Sequence, residues 1–111
     1  MSDKKLLELA AKAAGYKVRW HENWKCFVHD QANNITQPPS ASGDRHVWVP
    51  IDDDGDALRL AVDAGILDGN AFSVWLNYRN GAMAIEGLDA REATRLAFVR
   101  VAAEIGKNMA D

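Results

Sequence analysis

The residues best equipped for chemistry stand in one acidic run, Asp52-Asp53-Asp54-Gly55-Asp56, with Asp63 a few positions on. Carboxylates at alternating positions are the ligands that hard cations take, and the run begins like a calcium loop. It departs from one at two decisive points. Counted from Asp52, such a loop needs glycine where Ala57 stands and a bidentate glutamate where the shorter Asp63 stands. The run lies between the strand-like Trp48-Val49 and a helical pattern in which Leu58, Ala61, Val62 and Gly65 make the face expected to pack inward. A helix start has free N–H groups and a positive dipole end, and both attract acids. The expectation is therefore that Asp53 or Asp54 caps this helix with Asp56 in its first turn. A metal-dependent enzyme built on residues 52–56 is the third-ranked reading.

His21, Cys26 and His29 form a second candidate group, but their spacing matches no closed zinc site and no fourth ligand is evident. Strand alternation also aims Cys26 and His29 at opposite faces. Cys26 has no activating signature beside it and reads as a small buried hydrophobe rather than a nucleophile. The chain has no Gly-rich phosphate loop, nucleophile elbow or zinc-protease motif, and its scattered acids define no acid–base pair. No catalytic residue, metal or cofactor is expected.

Four tryptophans in 111 residues are the more telling chemistry, because large aromatics dominate both cores and interfaces. Trp20 groups with Val18 and alternates against Lys17, Arg19 and His21, a half-buried core pattern. In a strand over 71–78, Phe72, Val74, Leu76 and Tyr78 would face the core, leaving Trp75 with Ser73 and Asn77 on an open sheet face. An open aromatic near arginine can anchor a protein or stack on a base. The expected binding residues are Trp75, Trp24, Arg19 and Arg79. The net charge of -3 favours a protein partner, disfavours duplex nucleic acid, and leaves a single-stranded nucleic-acid binder as runner-up.

The elements that must position these residues follow from periodicity. Leu6, Leu7, Leu9, Ala10, Ala13 and Ala14 predict a helix over 3–14, capped by Ser2 or Asp3 and ended by Gly15. A hairpin over 16–29 follows, with strands on either side of a turn at 22–24. Residues 30–44 hold Asn33-Asn34, Pro38-Pro39 and Ser40-Ala41-Ser42-Gly43 and predict a long loop, itself a candidate contact element. The Asn34-Ile35-Thr36 sequon within it is a chance match for a chain with no secretory signature.

A strand over 46–49 leads to the capped helix, which runs to about Gly65. Residues 71–85 then predict a second hairpin turned by Asn80-Gly81, and Asp89 caps a last helix reaching about Met109. On that helix Arg91 and Arg95 share a side with Phe98, pointing to a salt link with a neighbouring loop. Leu96, Val99 and Ala103 form a second strip that meets another element or a second copy of the chain. The order is α-β-β-β-α-β-β-α: an α+β fold with a mostly antiparallel sheet of hairpins packed against helices, one domain over 1–111. With a single cysteine, no leader-like start and no apolar run near 20 residues, the chain reads as cytoplasmic and without a membrane span.

Three stretches carry a resemblance. They are Leu6-Leu7-Glu8-Leu9-Ala10-Ala11-Lys12-Ala13-Ala14-Gly15, Trp48-x-Pro50 leading into Asp53-Asp54-Gly55-Asp56-Ala57-Leu58-Arg59-Leu60-Ala61-Val62, and Ala93-Thr94-Arg95 with Val99-Arg100-Val101-Ala102-Ala103-Glu104-Ile105-Gly106. Together they resemble small uncharacterised proteins encoded by tailed bacteriophages and prophages. The middle stretch is the most specific. The resemblance implies an accessory protein acting in the cytoplasm of a bacterial host and assigns no residue a role. The 30–44 loop and the hairpin holding Trp24 and Cys26 lie outside it, and specialised binding is expected there.

Overall fold

A computed structural model describes residues 3–29 and 47–109. The loop expected at 30–44, its sequon, and the capping candidate Ser2 lie outside the described residues. The chain is α+β: α1 (Asp3–Ala14), β1 (Val18–His21), β2 (Cys26–His29), β3 (Val47–Trp48), α2 (Asp54–Asp63), α3 (Gly69–Ala84) and α4 (Ala90–Lys107). Element order agrees with the sequence reading from α1 through α2 and at α4.

Helix α4 is the axis of the fold, and α1, α2 and α3 all pack against it. Phe98, Val101 and Ala102 of α4 join Ala10 of α1, Leu60 of α2 and Trp48 of β3 in one continuous core. Val99 and Ala103 are buried within the chain, so the second strip of α4 meets other elements of the same chain. Near its end Gly106 lets α1 come close: a Cβ there would lie 1.9 Å from the Leu9 carbonyl oxygen. The α1 helix ends as expected at Gly15, whose φ of 78° suits a residue without a Cβ.

The strands form an antiparallel sheet in the order β1-β2-β3. Register places Trp20 opposite Phe27 and Phe27 opposite Trp48, so a row of aromatics crosses the core-facing side. Val18 and His29 share that side, while Arg19, His21, Cys26 and Val28 share the other. The half-buried pattern read for Trp20 is what the sheet shows.

The hairpin expected over 71–85 is a helix instead. Six of the eight residues from 71 to 78 are apolar, so the stretch satisfies a period of two and a period of 3.6 together. Packing on α4 selects the helical period: Ala71, Trp75, Tyr78 and Ala82 are among the covered positions. Phe72 and Leu76, expected in the core, are 40% and 39% exposed, and Ser73 and Asn77 are exposed as well. Asn80-Gly81 sits inside the helix, where a tertiary contact outweighs its turn preference. Trp75 is therefore not on an open sheet face.

Candidate functional site

The acidic run builds the start of α2. Asp53 is the N-cap and accepts the Asp56 N–H at 2.7 Å. Asp56, only 8% exposed, accepts the Val49 N–H at 2.9 Å and is paired with Arg59 at 2.7 Å. One carboxylate thus ties the exit of β3 to the first turn of the helix. Asp54 turns outward to Arg95 of α4 at 2.7 Å, and Arg95 Nε donates to the Ile51 carbonyl at 2.8 Å. The salt link read for Arg95 is this contact, and the three carboxylates share no partner. Among the described residues no His, Cys, Asp and Glu side chains gather as a metal-ligand set.

His21 and Cys26 are cross-strand neighbours, while His29 is on the opposite face against Tyr16 and Trp48. Burial pushes the Cys26 thiol above its usual range, the reverse of what a nucleophile needs. Tyr16 stands edge-on to both His29 and Trp48, with ring centroids at 5.3 and 5.8 Å, and its hydroxyl donates to Asp63 at the end of α2. Burial first, then that carboxylate, hold the phenol well above its ordinary pKa. This cluster joins the segment after α1 to the sheet and to α2.

The expected binding residues divide into two groups. Trp24 projects from the β1–β2 turn, 58% exposed, with its ring stacked on His21 at 4.1 Å, and Arg19 shares the His21 face. Trp75 and Arg79 stand one turn apart on α3 and converge on one residue of α4. Trp75 Nε1 donates to the Thr94 carbonyl at 3.4 Å, and Arg79 Nε donates to the Thr94 hydroxyl at 3.0 Å. That hydroxyl donates in turn to the Ala90 carbonyl at 2.6 Å. The Trp75 ring lies on Phe98 and also touches Phe72.

Thr94 and Phe98, which Trp75 and Arg79 hold from α3, also line a cleft that the sequence did not reveal. It measures about 370 Å³ and lies between α2 and the first half of α4. Asp54, Ala57 and Leu58 line it from α2, and Ala90, Arg91, Thr94, Arg95 and Phe98 from α4. Val62 on α2 and Phe72, Val74, Leu76 and Met83 on α3 are exposed apolar side chains outside that lining. The inward face expected for Leu58, Ala61, Val62 and Gly65 is corrected by the structure: α2 buries Ala57, Leu60 and Ala61 in the shared core, and Leu58 and Val62 are 54% and 58% exposed. The groove offers apolar surface edged by Arg91 and by the Arg95–Asp54 pair, which suits binding rather than bond chemistry.

Comparison with protein-family models, with curated proteins and with solved structures returns no match. Among the described residues no helix is long and apolar enough to cross a membrane.

Proposed function

We propose that this chain is a non-enzymatic accessory protein of a tailed phage or prophage that binds a host or phage protein in the groove between α2 and α4. The observation that carries the binding reading is the groove itself, floored by Phe98 and edged by the exposed Leu58 of α2. Contiguous apolar surface with a polar edge is the ordinary mark of a protein contact, and Trp and Arg are the residues that dominate such contacts. The phage origin rests on the Trp48-x-Pro50 passage and its continuation through Val62.

A photo-crosslinking side chain at Leu58 or Arg91 tests the reading in infected or lysogenic bacterial cells, with Lys107 at the other end of α4 as the control position. Covalent protein adducts are expected from Leu58 and Arg91 and none from Lys107. Equal labelling from all three positions overturns it. The exposed Trp24 ring stacked on His21, on whose sheet face Arg19 also stands, favours a second reading in which the hairpin stacks on single-stranded nucleic acid. Nucleic-acid adducts from a crosslinker at position 24, with none at 58 and 91, would select it.

A further inference from the structure

We infer that the outer edge of β1 takes up an extended peptide in which acidic and apolar residues alternate. The sheet runs β1-β2-β3, so among the described residues β1 pairs on one side only. Alternation decides which main-chain groups that leaves. The His21 carbonyl accepts the Lys25 N–H across the hairpin turn, so the main-chain groups of His21 face β2, and those of Arg19 face it too. Val18 and Trp20 therefore turn their N–H and C=O groups the other way. Tyr16, two residues before Val18, fixes that side as the one toward α1, because its N–H donates to the Ala11 carbonyl at 2.9 Å.

Those groups meet a slot rather than a neighbour. Helix α1 packs on α4 and scarcely on β1, and a cavity of about 510 Å³ lies between the two. Lys4, Glu8 and Ala11 line it from α1, and every residue from 16 to 20 lines it from the other side. Successive strand residues point to opposite faces, so a continuous run of them shares one cavity only where the cavity follows the edge of the strand. Four strand residues span roughly 13 Å, which is room for a short added strand. In strand addition the main-chain bonds give affinity and the side chains give specificity.

The side chains beside the edge name the occupant's chemistry. On the outer face Arg19 is exposed and closes no ion pair among the described residues, and Lys17 precedes it by two. On the core-facing side Val18 and Trp20 are half-buried, and the Lys4 ammonium lies over the Trp20 ring at 5.0 Å. Three of the four charged residues lining the slot, Lys4, Lys17 and Arg19, are cationic, although the whole chain carries -3. Cross-strand neighbours on one face interact directly, so acids of the added strand belong beside Lys17 and Arg19 and apolar side chains beside Val18 and Trp20. A second β1 edge is a poor occupant, since it would set like charges against each other.

The test is amide hydrogen exchange followed by NMR on the full chain, with a synthetic peptide of alternating Glu and Val as the probe. The Val18 and Trp20 amides should exchange freely in the chain alone, and the peptide should slow both about tenfold or more. Arg19→Glu, at an exposed position, should weaken that peptide roughly tenfold and admit its Lys–Val counterpart. A Glu–Val peptide methylated at its amide nitrogens should not bind. Slow exchange at Val18 and Trp20 without peptide shows the edge already taken and overturns the inference. So does a Glu–Val peptide that leaves both amides unchanged, or a methylated one that binds as well. Protection that grows with protein concentration alone makes a second copy the occupant, and oligothymidylate that shifts Arg19 and Trp20 without protecting them gives the slot to nucleic acid. Either result overturns it.

Discussion

The indole of Trp75 lies nearly flat on the phenyl ring of Phe98, with centroids 4.9 Å apart and planes 13° from parallel. This stack, with the bond from Trp75 Nε1 to Thr94, is the main clasp between α3 and α4. Stacked rings add to simple area burial, and truncating a buried aromatic costs about 3 to 5 kcal/mol. Because Trp75 is only half-buried, Trp75→Ala should lie near the lower end, about 3 kcal/mol in urea unfolding. Trp75→Phe should retain most of the stability. A loss for Trp75→Ala within the range of an ordinary surface change, about 0.5 kcal/mol, would falsify the clasp.

Two glycines should respond in opposite directions. Gly81 is inside α3 with nothing within 4 Å of an added Cβ, so Gly81→Ala should raise stability by roughly 0.5 to 1 kcal/mol. In a hairpin turn needing positive φ the same change would lower it, so the sign of the melting shift distinguishes helix from turn. Gly106→Ala would press a methyl group into the Leu9 carbonyl, which cannot rotate aside. Separating α1 from α4 to make room should cost about 3 kcal/mol or more.

The acidic turn orders its own substitutions. Asp53→Ala removes an N-cap and should cost about 1 kcal/mol. Asp56→Ala strands the Val49 N–H as well as losing Arg59, and should cost about 2 to 3 kcal/mol. Arg59→Ala, on the exposed side of that pair, should cost under about 1 kcal/mol. Chemical denaturation of the three variants checks the order, and a largest effect at Arg59 would contradict it.

Tyr16 sets an alkaline limit. Its pKa is raised in the folded chain by burial and by Asp63, so the folded state binds the phenolic proton more tightly than the unfolded state does. That contribution is whole below the unfolded tyrosine value near pH 10 and is lost as pH climbs toward the folded value. Unfolding free energy should therefore drop with pH above about 10, and the slope should be shallower in Tyr16→Phe. Parallel pH profiles for the two proteins would remove the role assigned to this phenol.

How much of the architecture was legible depended on whether one local signal stood alone. Asp53 and Asp89 cap α2 and α4 as read, because an N-cap bond spans only three residues and involves no distant partner. The β1–β2 hairpin was legible for a similar reason, since its alternation of Val18 and Trp20 with Arg19 admits no helical face of comparable quality. Of the expected binding residues, Trp24 and Arg19 are on that hairpin, whereas Trp75 and Arg79 were placed on the wrong kind of element.

The sequence by itself determined the capped helices, the antiparallel sheet and the α+β class, all of which follow from interactions within a few residues or between adjacent strands. Only the tertiary structure decided what 71–85 becomes. That segment is apolar on nearly every side, so its own pattern leaves helix and strand close in free energy, and contact with Phe98 and Thr94 tips the balance. The groove has the same origin. It exists because α2 and α4, separated in sequence by the whole of α3, meet without filling the space between them, and no spacing within either helix records how far apart they sit.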